Sequence, residues 1–425
     1  MTNRPFRTVT PGGTEIIIEP ISNVRSCSVG FWIRLGSCCE LLEEEGLAHF
    51  IEHTVFKGTE SYRGPQVIAE ATDKLGGSVD AFTGKEVTCF YGKVLREQLP
   101  DLVKLLGDLI TTPRFEADEL ARERKVILEE ISQSEDQPDD WVNELFYANF
   151  WPNGALAHSI LGTKEQVVSY DSEQARSFFQ KTYRAPNLLI AATGDIQIGD
   201  FMELLQPILP RLPLGMAKVK ARPNCPKPFL LNKHRKELQQ ANLVMGFPAY
   251  NHRHPNRIAA NLLSYILGGG MSSRLFMELR EKHALCYQVG SYVNQYCDTG
   301  ALQISASCAQ NCARELVRRT VSICTKLSKD GLTSDELERA KFQFRTSLIL
   351  NQESTNNRMF NLASQAIYEH RLLNLDEQIK EINQVTVEQL QKVVSDIIKP
   401  NTFGVSVLGT SQTNNVHTSD LTDAI

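Results

Sequence analysis

Residues 49–53 read HFIEH, two histidines four apart with a glutamate directly before the second. On an α-helix, positions i and i+4 lie one above the other on one face. His49 and His53 can therefore both turn a neutral imidazole nitrogen toward one divalent ion. Glu52 stands three residues from His49 and borders the same face. It is too near His53 along the helix to share a tetrahedral ion with good geometry, but it is well placed to touch a water held by that ion. A catalytic zinc usually has three protein ligands and a water whose pKa it lowers toward about 7. A nearby carboxylate can take that proton and later hand it to a leaving group.

A third ligand must come from elsewhere in the chain. The segment RERKVILEEI offers Glu123, Glu129 and Glu130. Glu123 and Glu130 are seven apart, two helical turns, and share a face; Glu129 points about a quarter-turn away. Glu130 is assigned as the ligand. Glu123 is assigned as a group that orients a ligand or holds water. Other polar clusters carry less. His252 and His254 form H-x-H beside Pro255, the pattern of a surface loop. GGGMSS at 268–273 lacks the G-K-[ST] of a phosphate loop and follows a helix, not a strand.

Strands and helices must position these groups. EIIIEP and CSVGFWIRLGS read as strands, GLAHFIEHTVF as a helix, and SVDAFTG with VTCFYGKVL as a hairpin turning near Gly84 and Lys85. QLPDLVKLLGDLI has apolar residues at helical spacing. ADELARERKVILEEISQSED is a helix with an acidic first turn, ended or bent at Pro138. NLLIAATGD reads as a buried strand. Between Gln206 and Pro228 stand six prolines, which mark a linker and divide the chain almost in half. The second half repeats the first: strand ANLVMGF, helix NRIAANLLSYILGG, strands CYQVGSYV and GALQISASC, helix ARELVRRTVSICTKLSK. ADELARER at 117–124 matches SDELERAK at 334–341. The expected fold is α+β: two homologous α/β-sandwich-like halves, each a mixed sheet packed with helices, joined by the Pro-rich linker. The division is 1–208, linker 209–228, and 229–425.

The halves differ where chemistry would sit. Matching FKG at 56–58 to ILG at 266–268 sets His49, Glu52 and His53 opposite Ala259, Leu262 and Leu263. Matching the long helices sets Glu123 and Glu130 opposite Ala340 and Ser347. A cluster needed only for folding would more plausibly be kept in both copies.

The composition is ordinary for a globular chain, with 42% apolar and 22% charged residues. A net charge of -5 gives no reason to expect nucleic acid or an anionic membrane as partner. No apolar run approaches the length of a membrane span. The ten cysteines form no C-x-x-C pair, and the first residues, MTNRPFRTVTPGG, have no apolar core, so a reduced, cytoplasmic protein is expected.

HFIEH, then 69 residues, Glu123, six residues and Glu130 resembles the pitrilysin or insulinase family of inverted zinc peptidases. Within that family it resembles bacterial members akin to the mitochondrial processing peptidase β subunit. GLAHFIEHTVFKGT, LGGSVDAFTGKEVTCFY, ERKVILEEI and LREKHALCYQVGSY carry the resemblance over nearly the whole chain. It implies that His49, His53 and Glu130 hold one Zn2+ per chain, with Glu52 as general base. It implies that the strand around Asp80, Ala81 and Phe82 pairs with an extended peptide or unfolded protein segment, and that Arg280 and Tyr287 from the second half serve the substrate carbonyl and its oxyanion. Family members often have Asn where Asp80 stands. A dimer is implied, with a second copy or with a related metal-less chain. Two other readings stand beside this one. The first is a non-catalytic assembly or scaffold subunit, which usually lacks one of the metal residues. The second is a small-molecule zinc enzyme with a cysteine as third ligand, for which Cys89 is the candidate.

Overall fold

The structure is a computed structural model that describes residues 4–216 and 222–422. It has two compact units: the described residues of Met1–Ser132, His158–Arg222 and Asn351–Asn374 form one, and those of Gln133–Ala157, Pro223–Leu350 and Leu375–Ile425 form the other. The strands are β1 (Phe6–Val9), β2 (Glu15–Pro20), β3 (Ser26–Ile33), β4 (Ser78–Thr83), β5 (Thr88–Leu95), β6 (Leu188–Gly194), β7 (Phe229–His234), β8 (Ala241–Ala249), β9 (Cys286–Gln295), β10 (Gly300–Cys308) and β11 (Gly404–Gly409). The helices that matter here are α1 (Leu47–Val55), α2 (Ala117–Asp136), α3 (Pro138–Phe150), α4 (Arg257–Gly268), α5 (Ser334–Asn351) and α6 (Thr355–Ser364).

The first unit's sheet has the order β1-β2-β6-β3-β5-β4, and the second's β7-β11-β8-β10-β9. Leaving out β1, the two orders match strand for strand. In each sheet one pair is parallel, β2 with β6 and β7 with β11, and the rest are antiparallel. The helix after β3 is α1 and the helix after β8 is α4, so the duplication seen in the sequence is a duplication of topology. The mixed-sheet, two-halved α+β fold is borne out.

The central strands β2, β3 and β6 read as near-continuous apolar runs because both faces of the sheet are covered. Ile16 and Ile18 join Val29, Phe31, Ile190, Phe50 and Ile51 in the core on the α1 side. Ile17, Trp32, Cys89, Leu189 and Ala191 face the other way and meet Met359, Leu362 and Ala363 of α6. Strand alternation produces this split. The second sheet solves the same problem with α3, which packs on β8 and β11. The Phe146 ring lies so close to β8 that a Cβ at Gly246 would sit 2.3 Å from it, so only glycine fits there.

These two cover helices correct the expected division at 208 and 229. α3, encoded in the first half, belongs to the second unit, and α6, encoded in the second half, belongs to the first. Part of the expected linker 209–228 lies outside the described residues, at 217–221. Before it, Ile208 and Leu212 are buried and Arg211 pairs with Asp108 at 2.8 Å, so 208–212 is packed chain. Pro138 ends α2 and opens α3 as its first residue, where its missing N–H costs nothing. β4 is an edge strand, half-exposed along its length.

Candidate metal centre

α1 has nine residues, too few to be stable alone. Packing and capping hold it. Leu47, Phe50, Ile51 and Val55 enter the first core, and Phe50 meets Tyr170 edge-on at 5.6 Å between ring centroids. The Glu40 carboxylate, buried, accepts the amide hydrogens of Gly46 at 2.9 Å and Ala48 at 2.7 Å. This satisfies donors that a helix N-terminus leaves open. Gly46 itself has φ of 86° and lies against the backbone of Leu161 and Gly162, a place no side chain could occupy.

The other face of α1 presents His49 and His53, their ring centroids 4.5 Å apart. α2 brings Glu130 to both. Glu130 Oε2 lies 3.4 Å from His53 Nε2 and 3.7 Å from His49 Nε2. Ligand atoms of the three residues all lie within 4.8 Å of one another. Direct hydrogen bonds would be shorter, about 2.7–3.2 Å. Atoms bound at about 2.0–2.2 Å to one tetrahedral ion are separated by about 3.3–3.6 Å. The two distances from Glu130 are close to that separation, so the three residues could hold one ion between them. Two imidazoles and a carboxylate are a donor set suited to zinc, cobalt or manganese. Glu129 is exposed and takes no part, as the quarter-turn offset requires.

Glu123, two turns back on α2, is buried and holds His53 in place. Its Oε1 lies 2.9 Å from His53 Nδ1, and its Oε2 takes a 2.7 Å ion pair from Lys57. The bond to Nδ1 leaves His53 Nε2 turned toward Glu130. Burial alone would raise the Glu123 carboxyl, but the bonds from His53 and Lys57 outweigh it and hold it low. His49 has no such support: its Nδ1 is buried without a protein partner. Burial, with help from His53, pushes His49 down to about 3, so the ring is neutral and free to donate a lone pair. His53 moves the other way. Its own burial lowers it, yet the Glu123 bond and the charges of Glu52, Glu130 and Glu123 raise it above its ordinary 6.5.

Glu52 borders the three ligand residues. Burial raises its carboxyl above the ordinary range and the charges of Glu130 and Asp80 add to that, against a hydrogen bond from Thr83 and the charge of His53. A raised carboxylate is what general-base work near neutral pH requires.

The strand residues divide between the two faces of β4. Val79 and Ala81 pack against the core on the α1 side. Phe82 turns the other way, edge-on to Trp32 at 5.6 Å and near Phe360 at 6.1 Å. Asp80 also faces away from α1; its carboxylate accepts the Tyr91 hydroxyl at 3.2 Å and the Ala81 amide at 2.8 Å. So only Ala81 of the three shares the face that carries the histidines. Arg280 and Tyr287 belong to the second unit. There the Arg280 guanidinium lies over the rings of Phe276, at 4.6 Å, and Tyr287, at 5.0 Å, and Tyr287 is 76% exposed. Cys89 is wholly buried, and burial together with Glu52 keeps its thiol well above the usual range; it is not among the converging ligand atoms.

In the second unit, α4 carries Ala259, Leu262 and Leu263 where α1 has its polar residues, and all three are completely buried. The second copy keeps the helix as core. Three contributors to the first site escaped the sequence: Lys57, Thr83 and Glu40. Thr83 had a readable signal, since it is the polar third member of the series Val79, Ala81, Thr83 that faces α1.

Comparison with known proteins agrees with this picture. The family model described as Insulinase (Peptidase family M16) matches residues 15–164, and the one described as Peptidase M16 inactive domain matches 169–344. The chain is 36% identical over 378 residues to an uncharacterized zinc protease of Bacillus subtilis, covering 89% of this chain and 92% of that protein. It is 32% identical over 412 residues to an uncharacterized zinc protease of Mycobacterium tuberculosis, covering 95% and 93%. Among solved structures, a protease from Helicobacter pylori superposes with a TM-score of 0.89 at 20% identity, over 96% of this chain and all of that one. A chain of complex III2 from Candida albicans superposes at 0.86 with 16% identity, over 99% of each chain. These last two share the fold. Among the described residues no helix is long and apolar enough to cross a membrane. The expected family resemblance is thereby borne out, and the chain belongs to the insulinase family of peptidases, family M16.

Proposed function

We propose that the chain is a zinc-dependent endopeptidase acting on extended peptides or unfolded protein segments. One observation carries this reading: His49, His53 and Glu130 converge at ligand spacing, with Glu52 beside them. The names of the relatives, zinc proteases, support it. His49, His53 and Glu130 would hold the ion, one per chain. A zinc ion bound there supplies Lewis acidity, acidifying a water and polarising the carbonyl of the scissile amide. Glu52 accepts a proton on its carboxylate and returns it to the nitrogen of the departing chain. Glu123 keeps the His53 ring turned. The free edge of β4 at Asp80, Ala81 and Phe82 takes the substrate backbone as an added strand. Arg280 and Tyr287 are assigned as donors to the oxyanion. In this reading the protein works in the cytoplasm as a dimer, with a second copy or with a related metal-less chain, which native mass spectrometry would distinguish.

The test combines metal analysis with mass-spectrometric mapping of cuts in a diverse peptide pool. The wild type should hold about one zinc per chain and cut. Glu52→Gln should keep its zinc and lose cleavage by 10²-fold or more, the range of a general base. Stoichiometric zinc with no cut in any peptide, alone or with a partner chain, would shift the reading to a non-catalytic assembly subunit.

A further inference from the structure

Glu52 is tied to the last residue of the edge strand. The Thr83 hydroxyl donates a 2.6 Å hydrogen bond to Glu52 Oε2, across 31 residues of sequence. That is a short hydrogen bond from a hydroxyl to a carboxyl oxygen. Thr83 is half-buried, and its backbone is fixed by register with Thr88 of β5. Glu52 sits on α1, which packs against β4.

We infer that Thr83 is the positioning residue of the general base, and that through it the substrate-receiving strand sets the orientation of Glu52. This rests on the peptidase reading above. A glutamate side chain has three rotatable bonds, and a proton acceptor must be held within a few tenths of an ångström of its line of attack. Nothing on α1 itself does this for Glu52. The single hydroxyl proton of Thr83 engages Oε2 and leaves Oε1 as the oxygen that receives a proton from water. Once Oε1 is protonated, Oε2 remains an acceptor, so the tether survives proton transfer. β4 carries both this tether and the edge offered to a peptide. A peptide that pairs with β4 and orders it therefore also orders the base.

The experiment uses the zinc-loaded full chain and a peptide it cleaves. Thr83→Val keeps the β-branched shape and removes the hydroxyl. It should lower kcat by about 10-fold or more, with KM within about twofold and zinc content unchanged. Thr83→Ser restores the hydroxyl and should recover kcat to within about threefold. In a Glu52→Gln background, Thr83→Val should cost nothing further, because the two act as a unit. A second readout needs no turnover: the infrared carboxylate stretch should differ between wild type and Thr83→Val, and the difference should vanish when both carry Glu52→Gln. Thr83→Val with full kcat beside an inactive Glu52→Gln would overturn this inference alone. Glu52→Gln with full activity would instead sink the peptidase reading and its base. An unchanged carboxylate stretch in Thr83→Val overturns the tether whatever the activity.

Discussion

At the scale of single residues, the proposed ligands are supported unequally. His53 is held through Glu123, and Glu123 in turn through Lys57, at 2.9 and 2.7 Å. Lys57 touches no ligand. Beside the His53 bond it helps hold the Glu123 carboxyl low, and its reach fixes the second carboxylate oxygen. Lys57→Met keeps most of the apolar stem and removes both effects. It should weaken zinc binding by about 10-fold, the low end for losing a partner of a ligand, while leaving the thermal midpoint of the metal-free protein nearly unchanged. Competition with a fluorescent chelator would measure it; unchanged affinity would mean that Glu123 needs no counter-charge. The cluster of His49, His53 and Glu130 was readable in the sequence because helical periodicity alone sets His49 over His53 and Glu123 in line with Glu130. Lys57 was not, because its partner Glu123 is brought to it from α2, and of Thr83 only the face was readable, not its bond to Glu52. Asp80 and Phe82 show the converse limit. Their motif placed them on the edge strand β4, and the pleat turned their side chains to the face away from α1.

At the scale of elements, the two long helices open alike and then diverge. α5 begins with a capping box: Thr333 Oγ1 accepts the Glu336 amide at 3.2 Å, and Glu336 Oε2 accepts the Thr333 amide at 2.9 Å. Arg274 adds a fork to the same carboxylate, at 2.7 and 2.9 Å. Burial alone would raise Glu336, but the Arg274 and Thr333 bonds overcome it and hold it below 4.5. A depressed carboxyl binds fewer protons folded than unfolded, so its contribution is present above pH 4.5 and is lost as pH falls through the folded value. Glu336→Gln should therefore cost on the order of 1–2 kcal/mol at pH 7, and the gap from wild type should close under more acidic conditions. Thermal melts of both proteins over a series falling from pH 7 into the acid range would show it. A gap independent of pH would assign the effect to packing instead of charge. Such boxes are visible in sequence as T-x-x-E; the Arg274 fork, 62 residues away, is not.

At the scale of the whole molecule, duplication was readable and the exchange of cover helices was not. Repeated strands and helices reveal a copied unit. Which sheet a helix covers depends on a turn at Pro138 in one copy and at Ser354 in the other, and apolar periodicity is blind to that choice. The consequence is energetic. Without α6 and the turn that follows it, Ile17, Trp32, Leu189 and Ala191 lose contact with Met359, Leu362, Ala363, Ala366 and Ile367. Burial of the larger side chains among these is worth on the order of 5–10 kcal/mol, an upper estimate that is comparable to the whole stability of a domain. A fragment of residues 1–208 should thus be insoluble or molten, binding a hydrophobic dye and losing near-ultraviolet circular dichroism, although it contains every proposed zinc ligand. Joining residues 351–374 to it through a flexible linker should restore a cooperative melt. If 1–208 alone melted cooperatively and took up zinc with the affinity of the full chain, the cover helix would be dispensable, and the first half would be a domain in its own right.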